Sequence, residues 1–130
     1  VGWFVRQAME GKTIEIFGNG SQERDYLYID DIIDAFLRLT KDGKSGEVYN
    51  IGNHERIRFV DMVDAVLSEV GSGEKEHIEW PENYEKNETG NYIADTTKIE
   101  SDTGWKQKEL LKDEVREMVN YYREHKNHYW

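Results

Sequence analysis

The sequence predicts a small, layered, mixed α/β fold with short strands and about four to five helices. Three observations carry that prediction. Apolar residues recur at helical spacing in several stretches, most clearly Phe59, Met62, Val63, Val66, Leu67 and Val70. Short runs elsewhere alternate as a half-buried strand does, and Thr13-Ile14-Glu15-Ile16-Phe17 is the plainest. In chain order, helices follow strands, with glycines at many of the joins.

Residues 1–10 read as the end of a helix, with Trp3, Phe4, Gln7 and Ala8 on one face and Gly11 as the stop. After the strand at 13–17, Gly18-Asn19-Gly20-Ser21 is a turn, and residues 25–29 read as a second short strand. Asp30 is placed to N-cap a helix reaching about Leu39, with Ile32, Ala35, Phe36 and Leu39 on one stripe. Asp31 and Asp34 lie in or near its first turn, where negative charge suits the helix dipole. A loop at 43–46 leads to Glu47-Val48-Tyr49-Asn50-Ile51, which reads as a buried strand closed by Gly52.

The helix at 59–70 ends on Gly71, and Arg58 stands where Ser or Thr would cap best. A short strand at 77–80 ends at Pro81, the only proline. Residues 82–91 form a charged loop and 92–94 an extended stretch, and Asp95 caps a short helix that Gly104 ends. The last helix carries Leu111, Val115, Met118, Val119 and Tyr122 on one face. With no repeat, low-complexity tract or linker, a single domain over residues 1–130 is expected.

Composition narrows the function classes. Four tryptophans and 12% aromatic residues mark a chain that folds. No apolar run approaches the ~20 residues that cross a bilayer, and no signal peptide is visible, so a cytoplasmic protein without membrane contact is expected. The absence of cysteine removes disulfides, thiolate metal sites and cysteine nucleophiles. A net charge of −10 argues against non-specific nucleic-acid binding, which needs a basic face. It leaves room for a small anionic ligand held by a few converging cations and N–H groups.

The most informative stretch is Gly18-Asn19-Gly20-Ser21-Gln22-Glu23-Arg24-Asp25-Tyr26-Leu27-Tyr28-Ile29-Asp30-Asp31. A glycine turn lets backbone approach a ligand closely, and an arginine makes paired N–H contacts to phosphate oxygens. The same residues also fit a hairpin whose Arg24 pairs with a neighbouring carboxylate.

The run from Lys12 to Gly18, then Arg24-Asp25-Tyr26, Asp30-Asp31 and Glu47-Val48-Tyr49-Asn50-Ile51-Gly52, resembles the extended short-chain dehydrogenase/reductase family. Asp95 to Lys98 with Gly104-Trp105 resembles that family's later segment, and the pieces occur in family order. Its members are NAD(P)-dependent sugar-nucleotide epimerases and dehydratases. The resemblance implies the C-terminal, nucleoside-diphosphate-sugar-binding portion of an extended Rossmann-type enzyme, an epimerase or 4,6-dehydratase. It further implies that Glu15, Ile16 and Phe17 lie against the nucleotide base, that Arg24 contacts the pyrophosphate, and that Asn50 faces the nucleotide. A further basic residue is implied before Asp95. Lys86 is the nearest candidate, where arginine is typical, and the loop reads Glu85-Lys86-Asn87-Glu88-Thr89-Gly90 in place of Arg-x-Gly-Glu/Asp.

Family chemistry also needs a glycine-rich strand-to-helix turn for NAD or NADP and a Tyr-x-x-x-Lys pair, both upstream of the matched segments. The expectation is therefore a chain without its N-terminal Rossmann half, with no cofactor of its own and not catalytically competent alone. A free-standing, non-enzymatic nucleotide-diphosphate-binding module is the alternative, and a homodimer is left open. Two apparent sites are set aside. Tyr122 to Lys126 spells Tyr-x-x-x-Lys, but on the last helix and with Tyr122 on the apolar stripe. His125 and His128 are spaced for a metal yet lack an evident third ligand.

Overall fold

The computed structural model describes residues 1–130, the side chain of Glu85 excepted. Helix α1 (Gly2–Met9) leads into strand β1 (Thr13–Phe17), whose alternation buries Ile14 and Ile16 and turns Glu15 and Phe17 to the other side. Strand β2 (Glu23–Arg24) precedes helix α2 (Ile29–Asp42), and strand β3 (Ile57–Arg58) runs directly into helix α3 (Phe59–Val70). Strand β4 (Glu74–Ile78) then pairs in parallel with β1, with Glu15 opposite Glu76 and Phe17 opposite Ile78. A one-turn helix α4 (Glu82–Glu85), helix α5 (Thr97–Thr103) and helix α6 (Leu111–Tyr129) complete the chain. The six helices are one more than expected because a turn forms inside the loop at 82–91.

The main core lies between the inner face of β1 and helices α1, α3 and α6. It holds Val5, Ala8, Ile14, Ile16, Met62, Val63, Val66, Val115 and Val119. A smaller cluster, Ala35, Ile99 and Trp105, joins α2 to α5 and is flanked by Leu27, Leu39, Tyr49 and Ile51. No helix among the described residues is long and apolar enough to cross a membrane.

Where the local reading and the structure differ, long-range hydrogen bonds decide. Residues 25–28 are extended without a ladder, and the second strand is instead the two residues before them, which pair antiparallel with β3. Residues 47–51 form no strand, because no partner strand lies beside them in this chain. The strand expected at 77–80 starts earlier, at Glu74, as β1 supplies five paired positions. Helix α2 begins at Ile29, so Asp30 lies inside its first turn and does not cap it. Asp31 accepts N–H bonds from Lys108 (3.0 Å) and Glu109 (3.3 Å), tying α2 to the approach to α6.

The missing cap of α3 also has a cause. The N–H groups of Phe59 and Val60 donate to the carbonyls of Gln22 (2.9 Å) and Gly20 (3.0 Å), so main chain satisfies what a Ser or Thr side chain would. The turn after β1 is thereby fastened to α3. Helix α5 starts one residue later than Asp95 could cap: Thr96 is its N-cap, while the Asp95 carboxylate accepts the N–H of Thr97 (2.9 Å), and Gly104 ends the helix in the left-handed region.

Candidate functional site

A cavity of about 590 Å³ opens along the outward side of β1. Its apolar walls are Trp3 and Phe4 of α1, Phe59 and Met62 of α3, and an aromatic group made by Phe17, Trp80 and Tyr84. The Phe17 ring centroid lies 5.5 Å from that of Trp80 and 5.8 Å from that of Tyr84, spacings of tilted and edge-to-face contact. Trp80 crosses directly over Gly18, whose φ of +64° and lack of a side chain are both needed there, because a Cβ would run into the indole.

Arg24 stands at the cavity on β2. The strand holds it firmly: Arg24 pairs with Ile57, and Glu23 receives the N–H of Tyr92 (3.1 Å). The next residue, Asp25, accepts the N–H groups of Asn53 (2.5 Å) and Ala94 (3.0 Å), which fixes the chain just past the arginine. The guanidinium donates to the carbonyls of Gly90 (2.5 Å) and Glu23 (2.9 Å) and to the carboxylate of Glu88. Glu88 therefore sits where a phosphate oxygen would approach the fork. Arg24 remains partly exposed, with 29% of its side-chain surface open.

Glu15, Phe17 and Arg24 thus meet at one cavity, and the other candidates do not. The Ile16 side chain is fully buried in the core, so only its backbone can reach a ligand on the cavity side. Asn50 lines a separate depression with Lys44, Asp95, Lys98 and Asp102, donating to the carbonyl of Asp95 (3.3 Å). Lys86 points away, its ammonium 3.9 Å from Glu82. Trp80, Tyr84 and Glu88 escaped the sequence reading, and the only signal for them was a pair of aromatic residues flanking Pro81 in an otherwise charged stretch.

A dinucleotide seat needs a glycine turn that passes from a strand into a helix N-terminus. The glycine turn after β1 passes into β2 instead, so that turn does not form such a seat. Tyr122 packs against the main core, and His125 stacks on Tyr121 with centroids 4.4 Å apart.

The sequence pattern of the family described as GDP-mannose 4,6 dehydratase matches residues 2–118. The chain belongs to that family. It is thus part of the extended short-chain dehydrogenase/reductase group of sugar-nucleotide epimerases and dehydratases. A dTDP-glucose 4,6-dehydratase of Escherichia coli is 35% identical over 124 residues, a match covering 91% of this chain and 34% of that protein. Among solved structures, dTDP-glucose 4,6-dehydratase of Bacillus anthracis in complex with NAD superposes with a TM-score of 0.84 at 25% identity. That match covers 98% of this chain and 40% of the other. UDP-glucose 4-epimerase of Thermotoga maritima with UDP-glucose also gives 0.84, at 27% identity over 94% of this chain and 38% of that one. This family member therefore spans about a third of the length of the curated relatives it matches.

Proposed function

We propose that this chain is the nucleoside-diphosphate-sugar-binding region of an NAD(P)-dependent sugar-nucleotide epimerase or 4,6-dehydratase, and that it binds substrate without turning it over alone. One observation carries the reading: an anchored, partly exposed arginine stands beside a cavity walled by aromatic rings. The rings supply faces on which a base stacks, and the guanidinium supplies a fork for the diphosphate. Holding these remote parts positions the sugar for chemistry carried out elsewhere. NAD or NADP, held by residues outside these 130, would take the hydride from the sugar. Asn50 and Lys86 are secondary in this reading, since neither faces the cavity.

Two surface features support a larger enzyme. Helix α2 exposes Ile29, Ile33, Phe36 and Leu37 along one side. Residues 47–51, strand-like in sequence, lie unpaired with Val48 80% exposed. An NAD-binding half with a helix and a sheet edge would cover both.

Titration with UDP-, dTDP- and GDP-sugars, followed by amide shifts, tests the binding. Shifts should centre on Phe17, Arg24 and Trp80, and shifts confined to other regions would refute the assignment. Arg24→Ala should weaken binding about 10- to 100-fold, the worth of a charged hydrogen-bonded contact. The urea midpoint should move little, because Glu88 can turn into water. Loss of stability without loss of affinity would leave Arg24 a merely structural ion pair.

A further inference from the structure

We propose that the end of α6 is a strap across α1, and that Trp130 acts through it as a positioning residue for the cavity wall formed by Trp3 and Phe4. The strap stands on its own contacts, and its effect on binding rests on the nucleotide-binding reading above.

Helix α1 needs outside support. It has eight residues, short of the roughly 12–15 at which an isolated helix becomes even marginal in water, and no side chain caps its start. Val5 and Ala8 tie it to the core, and the Phe4 ring meets that of Phe59 edge to face at 5.4 Å. Trp3, 58% exposed, rests on Phe4 with centroids 5.2 Å apart. Where this wall stands therefore depends on where the short helix is held.

The contacts of α6 change at His125. Up to Arg123 the helix is fastened to α3, the Arg123 guanidinium donating to the carbonyls of Glu69 (3.1 Å) and Val70 (3.2 Å). His125 then leaves the helical region (φ −109°, ψ 16°), and its Nδ1 donates to the carbonyl of Tyr121 (2.9 Å). A side chain that takes a carbonyl of the helical ladder kinks a helix. In a straight helix, residues 122 and 130 would lie ~12 Å apart along the axis. Past the kink, the Trp130 ring instead lies 5.1 Å from that of Tyr122, and the Tyr129 ring 5.3 Å from it.

This folded-back group grips α1. The Arg6 guanidinium sits over Trp130, 5.6 Å from the ring centroid. Tyr122 packs so closely on Gly2 that a Cβ there would lie 2.7 Å from its hydroxyl oxygen. Residues 123–129 are exposed, so the strap supports α1 from outside the core.

Amide exchange and calorimetric titration with UDP, dTDP and GDP test this on the wild type, Trp130→Ala and Trp130→Phe. Loss of one aromatic pair and one cation–π contact should speed exchange at residues 6–10 about 10-fold in W130A. Exchange at Met62, Val63 and Val66 should hold, and the affinity for the tightest of the three nucleotides should fall about 3- to 10-fold. W130F keeps a ring on Tyr122 and should recover most of both. Unchanged exchange in α1, equal acceleration in α1 and α3, or a W130A chain that no longer folds overturns the strap. Faster exchange with unchanged affinity overturns the positioning role. If no nucleotide binds the wild type, the nucleotide-binding reading and the positioning role fall together, while exchange still decides the strap.

Discussion

Trp105→Ala should cost about 3–5 kcal/mol, the usual penalty for emptying a buried aromatic site. Trp105 is fully buried and is the largest side chain of the second cluster. Its indole N–H donates to the carbonyl of Asp31 (3.0 Å), and its backbone N–H donates to the hydroxyl of Thr103 (3.2 Å). One side chain thus fastens α2 to α5. Ala35 and Ile99 are too small and too fixed to close the space it would leave. With domain stabilities of roughly 5–15 kcal/mol, the loss would bring the fold near its limit. Trp105→Phe keeps most of the volume and should cost less than half as much. Urea unfolding followed by circular dichroism measures both. A loss below about 1.5 kcal/mol for alanine would show that the second cluster contributes little. The damage should reach the candidate site, because Leu27 packs on this cluster three residues after Arg24.

Trp105 also illustrates what a sequence shows and hides. Its place before the last helix was legible, since Gly104 marks the end of α5, but nothing local says that its indole reaches Asp31. Helix α3 was legible from end to end because its buried stripe of Met62, Val63 and Val66 is a local signal. Strand β1 was legible for the same reason, and its alternation also separates Ile16 from Glu15 and Phe17, a consequence the family resemblance obscured. Strand β4 was harder, because Glu74, Lys75, Glu76 and His77 are all exposed and only pairing with β1 makes them a strand. The stretch at 47–51 shows the converse: strand-like residues without a neighbour make no ladder.

The candidate site divides along the same line. Arg24 stood out as the arginine after a glycine turn, and the family resemblance, not strand pattern, singled out Phe17 and gave both their expected roles. Trp80, Tyr84 and Glu88 come from a segment whose charge reads as solvated loop, and only the fold brings them to Phe17 and Arg24. Glu88 changes the chemistry most. Both sequence readings of Arg24, phosphate contact and ion pair, are compatible with one structure in which a carboxylate occupies the fork that a diphosphate would take.

Stability should also fall as pH rises through neutrality, and Glu114 is the cause. Its side chain is nearly buried at the start of α6, and burial, aided by the charges of Asp31, Glu109 and Glu55, pushes its carboxyl up from the usual 4.5 to about 7. The N–H of Tyr28, donated from 3.2 Å, opposes this and does not overcome it. Because the folded value lies above the unfolded one, the folded chain keeps a proton that the unfolded chain gives up between these values. Its stabilising contribution is complete below pH 4.5 and is lost as pH rises through 7. At 1.36 kcal/mol per unit, the loss by pH 8 is about 3 kcal/mol. Glu114→Gln keeps an acceptor for Tyr28 and removes the titration. The variant should match wild type near pH 4.5 and exceed it by about 2–3 kcal/mol at pH 8. The difference between the two proteins, and not the slope of either, is the decisive quantity. Urea midpoints at pH 5, 6, 7 and 8 measure it, and a constant difference across that range would mean that Glu114 is ionised in the folded chain throughout.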